Sequence, residues 1–420
     1  MSIDTSLAYA QQLDQQDPIA HMREQFHIPT QKDGSEFIYM CGNSLGLMPK
    51  RVQEFMDKEL KDWASLGVEG HTEGDTPWLP YHEFLTESMA RIVGAKPSEV
   101  VVMNSLTANL HLMMVSFYRP TPQRRKILME YSPFPSDRYA LRSQIAFHGY
   151  NPDTDLIELM PAEGEEIVTL EQIEKVMAAH GEEIALVMLG GVNYYTGQVY
   201  PLREVTALGH QYGCTVGFDL AHGAGNIMPD LHDIGADFAV WCTYKYINSG
   251  PGSLSGAFVH ERHAKNFDLP RFAGWWGHDK DSRFLMQPEF RPMTGAEGWQ
   301  LSNPPILSMA AIRASLSLFD EVGMPALREK SVKLTSYTAD LINNIDSDRI
   351  SIITPSEIEQ RGCQLSIQVK GADKALFDKL TDAGVISDWR EPDVIRIAPV
   401  PMYNSYEDSW RFAELLGGLL

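Results

Sequence analysis

Two short apolar runs end in groups that can do chemistry. In TVGFDLAHGAGN the run closes on Asp219, with His222 just beyond, and in DFAVWCTYKY Lys245 follows a run that begins at Phe238. Both runs read as buried strands. A carboxylate at the end of a buried strand costs several kcal/mol unless a positive group faces it. A structural arginine could do this, and so could the protonated ring nitrogen of a planar ligand. The spacing of Asp219 and Lys245 is that of one strand-to-strand excursion, which places carboxylate and amine at neighbouring strand ends. An amine so placed is suited to hold an aldehyde covalently.

Other strand exits carry polar residues too. Asn104-Ser105-Leu106-Thr107 precedes a helix, where hydroxyls and free N–H groups suit a phosphate; an ordinary helix cap is the commoner reading of such a stretch. In Ser132-Pro133-Phe134-Pro135-Ser136-Asp137 the aromatic between prolines either stacks on a flat ring or belongs to the core. The glycine-rich Gly250–Gly256 loop resembles a dinucleotide-binding turn, but its last glycine is one place late and it lies between two strands, so it reads as a reversal joining antiparallel strands. His260 and His263 read as surface residues with no third metal ligand.

These positions need a scaffold that brings strand ends together. Runs at Glu99–Met103, Lys126–Met129, Ile184–Leu189, Cys214–Asp219, Phe238–Trp241 and Gly256–Val259 alternate with helical patterns such as Ala108–Phe117 and Leu202–Tyr212. That alternation predicts an α/β fold with a mostly parallel sheet covered on both faces, and such sheets bind ligands beyond the carboxyl ends of their strands. Past Asn303-Pro304-Pro305 the pattern changes. One long helix or two, broken near Gly323-Met324-Pro325, lead to strands Gln364–Val369 and Val394–Ala398 around helix Ala375–Ala383, a smaller α+β C-terminal domain. The expected division is a large domain over 63–305, with an N-terminal arm, 1–62, packing on the small domain, 306–420.

The formal charge of −21 over 420 residues argues against nucleic acid and anionic membrane as partners. Four cysteines lie far apart without paired spacing, which excludes a zinc knuckle or disulfide framework. A polar, acidic N-terminus and the lack of any long apolar run lead to the expectation of a cytoplasmic protein.

The blocks VNYYTGQ (192–198), GFDLAHGAGN (217–226), WCTYKY (241–246), GWWGH (274–278), SNPPI (302–306), RGCQL (361–365) and RIAPVPMYNS (396–405), with GNSLGL at 42–47, resemble the kynureninase family along nearly the whole chain. That family belongs to the fold-type I pyridoxal phosphate enzymes, with a seven-stranded-type sheet in the large domain. The resemblance implies pyridoxal 5'-phosphate as cofactor, bound covalently by Lys245. Asp219 would pair with its ring nitrogen, His222 would sit near its 3-oxygen, and Phe134 would stack on its face. Leu106, Thr107, Pro135, Ser136 and Asp137 would line it, and Tyr244 would contact the phosphate and relay a proton. Trp275 and Asn303 would come from the second subunit of a homodimer. Arg396 would grip the substrate carboxylate. At Gly190 some family members carry serine, a departure that bears on one cofactor contact.

The implied reaction is hydrolytic Cβ–Cγ cleavage of kynurenine or 3-hydroxykynurenine to an anthranilate and L-alanine, in tryptophan catabolism or NAD synthesis. His71, Asn303 and Ser44 suggest a polar pocket that prefers the 3-hydroxy substrate. Two rival readings stand beside it. One is a cysteine desulfurase or class V aminotransferase, for which Cys363 is the candidate nucleophile; the other is a cofactor-binding scaffold without activity.

Overall fold

The computed structural model describes residues 4–420. Near the N-terminus, helix Leu7–Gln16 packs on the C-terminal helix Tyr406–Leu419, and Asp14 accepts the first free N–H groups of that helix, from Tyr406 at 2.7 Å and Glu407 at 3.0 Å. Strand β1 (Ile38–Tyr39) then pairs in parallel with Val385–Ile386 of the C-terminal region. Helix Val52–Leu66 crosses the expected 62/63 boundary and packs against helix Ile306–Val322.

The main sheet holds seven strands: β2 (Val100–Met103), β3 (Lys126–Met129), β4 (Leu156–Glu158), β5 (Ile184–Gly190), β6 (Thr215–Asp219), β7 (Phe238–Cys242) and β8 (Ser255–Val259). Their spatial order is β2-β8-β7-β6-β5-β3-β4. Every neighbouring pair is parallel except those made by β8, which runs against both β2 and β7. The expected parallel sheet and the expected reversal at Gly250–Gly256 are both found. β4 was not anticipated: it is a three-residue, half-buried edge strand, too short for a periodic signal.

Successive residues of each central strand enter opposite faces of the sheet. Val100, Val102, Leu128, Val187, Leu189, Val216 and Phe218 join one core, while Val101, Met103, Ile127, Met129, Leu186 and Met188 join the other. Burial on both faces is why these strands read as unbroken apolar runs.

A second sheet has strands β9 (Ile350–Ile352), β10 (Leu365–Val369), β12 (Asp388–Arg390) and β13 (Val394–Ile397), all antiparallel and ordered β12-β13-β10-β9; β11 (Val385–Ile386) is the strand that receives β1. The helix break near Gly323 is present, with helices Ile306–Val322 and Met324–Asn343 on either side.

His260 and His263 are not free surface groups. His263 Nε2 lies 2.8 Å from Asp237 Oδ1, and His260 stacks on His232 beside the fully buried Glu99. Two buried carboxylates need polar partners, and these rings help supply them.

Candidate active site

The carboxyl ends of β7, β6, β5 and β3 lie side by side, and the chain leaving each one lines a single cavity. Lys245, Tyr244, Asp219, His222, Ala221, Gly190, Val192, Tyr194, Glu130, Phe134, Ser136, Asp137, Leu106 and Thr107 form its wall. Adjacent parallel strands end in Asp219 and in the turn to Lys245. Lys245 Nζ lies 3.1 Å from His222 Nε2 and 5.9 Å from the centre of the Phe134 ring. Phe134 is 47% exposed and meets Tyr194 edge-on at 5.4 Å. It therefore faces the cavity and is not part of the core.

The backbone is bent where these residues leave the sheet. Asn104, Ser132 and Asn248 all have positive φ, a conformation that costs a non-glycine residue energy and collects at functional sites. The N-terminal turn Cys41–Leu47 holds the lysine loop from outside. Gly46 N–H donates to the Tyr244 carbonyl at 2.8 Å, and a Cβ at Gly46 would stand 2.2 Å from Asn248 Oδ1 and 2.3 Å from the Lys245 carbonyl. Only glycine permits this approach.

Helices Leu106–Phe117 and Pro135–Phe147 both begin at the cavity, and neither start has a side-chain cap. Their first turns offer free N–H groups and two hydroxyls, Thr107 Oγ1 and Ser136 Oγ, 2.9 Å apart. This is a ready anion cradle.

Charge in the cavity is unbalanced. Asp219 accepts from Ala221 N–H at 2.7 Å, yet burial raises its proton affinity. Asp137 is raised well above the usual carboxylate range by burial and by Asp219 and Glu130. Glu130, beyond β3, is pushed up to about 8 by burial and by Asp219. Three carboxyl groups thus share the cavity with one amine, Lys245. Burial, with Lys245 next in effect, holds His222 well below its ordinary value; the ring is neutral, and its buried Nδ1 has no partner. Burial raises the Tyr244 phenol, which stays protonated.

Sequence reasoning missed Glu130, Val192, Tyr194 and Ala221. Glu130 carried the signal already used for Asp219, a carboxylate closing an apolar strand. Gly190 lines the cavity and donates its N–H to Glu130 Oε2 at 3.2 Å; a Cβ there would lie 2.6 Å from that oxygen. Pro135 opens its helix at the first position. Arg396 is buried on β13 against Asp388 and the Tyr194 carbonyl, behind the cavity wall.

Besides Pro135 and Arg396, four more expected residues do not line this chain's cavity. Trp275, 41% exposed, lies in a turn with its indole N–H on the Arg283 carbonyl. Asn303 and Ser44 are exposed in loops, and His71 packs edge-on against Trp78 with Nδ1 on the Val68 carbonyl.

The family model of the kynureninase C-terminal domain matches residues 327–416. Kynureninase of Koribacter versatilis is 55% identical over 413 residues, covering 98% of this chain and 97% of that protein. Kynureninase of Myxococcus xanthus is 56% identical over 415 residues, covering 99% and 97%. The chain belongs to the kynureninase family. Among solved structures, the cysteine desulfurase CsdA of Escherichia coli aligns with a TM-score of 0.75 at 15% identity, covering 95% of this chain and 98% of that one. The cysteine desulfurase of Thermococcus onnurineus NA1 aligns at 0.73 with 18% identity, covering 91% and 94%. At such identities the likeness is one of fold. The cysteine offered for the desulfurase reading is unsuited to it: Cys363 is buried, and burial pushes its thiol up to about 12, whereas a reactive cysteine is exposed and easily ionised. Membership of the kynureninase family instead fits an enzyme that needs no thiol.

Proposed function

We propose that this chain is a pyridoxal 5'-phosphate enzyme that hydrolyses the Cβ–Cγ bond of kynurenines, releasing an anthranilate and L-alanine. The observation that carries the reading is the meeting of Lys245, His222 and Asp219 at adjacent strand ends, under the ring of Phe134. The residues fit the cofactor. The surplus of carboxyl groups calls for a cation such as a protonated ring nitrogen, the unpartnered His222 Nδ1 calls for a polar neighbour, and the Thr107–Ser136 cradle suits a phosphate.

When bound, the cofactor supplies an electron sink for bonds broken at the amino acid's α-carbon. The chain's part is to position groups and move protons. Asp219 would hold the ring nitrogen charged, Phe134 would cover the ring, and the two uncapped helix starts would take the phosphate with Tyr244. Lys245 would hold the cofactor's aldehyde, and its amino group, when free, would take the substrate's α-proton. Water adds to the ketone carbon and becomes part of the anthranilate carboxylate, and the protonated Tyr244 phenol would deliver a proton to the carbon so released. Arg396 orients the substrate carboxylate.

The exposed Trp275 and Asn303 are supplied to the cavity of a second copy, which makes the working enzyme a homodimer. His71, Ser44 and Asn303 form a polar pocket for the aryl ring that prefers 3-hydroxykynurenine, because an analogue lacking the hydroxyl leaves those groups unpaired. Purified protein given pyridoxal phosphate and 3-hydroxykynurenine is expected to form fluorescent 3-hydroxyanthranilate and alanine, and Lys245→Ala to lower turnover by roughly a thousandfold or more. Absence of both products sinks the reading. A higher kcat/KM for plain kynurenine sinks only the ring preference.

A further inference from the structure

Two arginines beside the cavity have donors with nowhere to go. Arg396, 1% exposed, lies on β13, and Arg390 lies on the neighbouring β12. Asp388 is directly opposite Arg396 across that ladder. One oxygen of Asp388 serves both guanidiniums: Oδ2 accepts from Arg396 Nη2 and, at 3.0 Å, from Arg390 Nη2. The Tyr194 carbonyl accepts from Arg396 Nη1 and, at 2.9 Å, from Gln364 Nε2. Both guanidiniums also lie over the Tyr194 ring, 5.5 Å (Arg396) and 5.9 Å (Arg390) from its centre, and Tyr194 lines the cavity next to Phe134.

Against this careful placement, Arg396 Nε and Arg390 Nε are both buried without any acceptor. A desolvated donor left unpaired is costly, and more so when it belongs to a charged group. The charges are also uneven, since two guanidiniums share one carboxylate. A second carboxylate brought to this pair supplies the missing negative charge and an acceptor for donors that now have none. Planar forks of this kind match a carboxylate better than an ammonium could.

We propose that Arg390 is a second carboxylate-binding arginine of this site, and that Asp388 is the positioning residue that locks Arg390 and Arg396 into one clamp for the α-carboxylate of the amino-acid substrate. The clamp deepens the function proposed above and takes the identity of the substrate from it. The need for a carboxylate comes from the arginines themselves.

The test uses 3-benzoylpropanoate, an aryl ketone acid with no amino group, and its uncharged amide. Binding of each to the pyridoxal phosphate-loaded protein is measured by calorimetry, beside KM and kcat for kynurenine. Wild type is expected to bind the acid at least about tenfold more tightly than the amide, as a charge-assisted pair implies. Arg390→Gln and Asp388→Asn are expected to cut that preference to about twofold and to raise KM tenfold or more, with kcat changed less than about threefold. Arg390→Lys, which keeps the charge and loses the fork, is expected to fall between. Half-exposed Arg390 can be replaced without a buried void, so its two variants remain informative if Asp388→Asn unfolds. An unchanged preference and KM in Arg390→Gln overturn the clamp, as does a wild type that binds acid and amide alike. A wild type that prefers the acid but does not cleave kynurenine keeps the clamp and overturns the proposed reaction.

Discussion

Three acidic side chains surround one amine, and this imbalance has a measurable consequence. Glu130 has its proton affinity raised from 4.5 to about 8. Between those values the folded chain holds a proton that the unfolded chain has released, so stability falls as pH rises across the window; Asp137, raised in the same direction, adds to the slope. Glu130→Gln removes one titrating group while leaving an oxygen for Gly190 N–H. Its melting temperature is expected to fall less than that of wild type from pH 5 to 8, and parallel slopes in the two proteins would refute the assignment. Asp219 and Lys245 were legible in the sequence because each ends an apolar run, where water-loving groups need a reason. Glu130 was equally legible and was overlooked because no histidine or motif drew attention to it. Tyr194 was not legible: it reaches the cavity on a turn whose position depends on hydrogen bonds from Arg396 and Gln364, far along the chain.

At the scale of elements, the turn around Gly46 determines where the lysine loop sits. Gly46→Ala would force its methyl group onto the Lys245 carbonyl and Asn248. Overpacking of this kind costs about 1–3 kcal/mol, so the urea midpoint should drop, together with a loss of turnover greater than that of the exposed C-terminal-helix control Gly418→Ala, where nothing lies within 4 Å. Equal effects in the two variants would show that the turn does not hold the loop. Long central strands were readable because burial on both faces leaves continuous apolar runs. The short strands β4, β9, β11 and β12 were not, since three residues or fewer show no period. Their places are set by neighbours: β12, for instance, is held by pairing with β13.

Across the whole molecule, the first residues are tied to the last third of the chain by a buried ion pair. Lys330 Nζ meets Asp17 Oδ2 at 2.7 Å, with side chains 5% and 3% exposed. Asp17→Ala leaves that ammonium buried and unpaired, at about 3–5 kcal/mol; Asp17→Ala with Lys330→Met should recover most of the loss in a denaturant titration, and failure to recover would mean the pair is not the cause. The proposed homodimer is tested at the same scale. Mixed and refolded Lys245→Ala and Trp275→Ala chains should regain up to about a quarter of wild-type activity, because hybrid dimers hold one intact site. No regain would place Trp275 in its own chain's site. Among the described residues no helix is long and apolar enough to cross a membrane.

The hairpin of residues 192–198 is sewn to the second sheet: Arg396 and Gln364 donate to the Tyr194 carbonyl, Ser366 to that of Tyr195, and Thr354 to that of Thr196. A fragment ending before residue 350 would leave three carbonyl oxygens stripped of these donors beside Phe134. Catalysis cannot therefore be transplanted with the large sheet alone, and the closing segment of the polypeptide is as much a wall of the reaction chamber as the strand tips that bear the lysine.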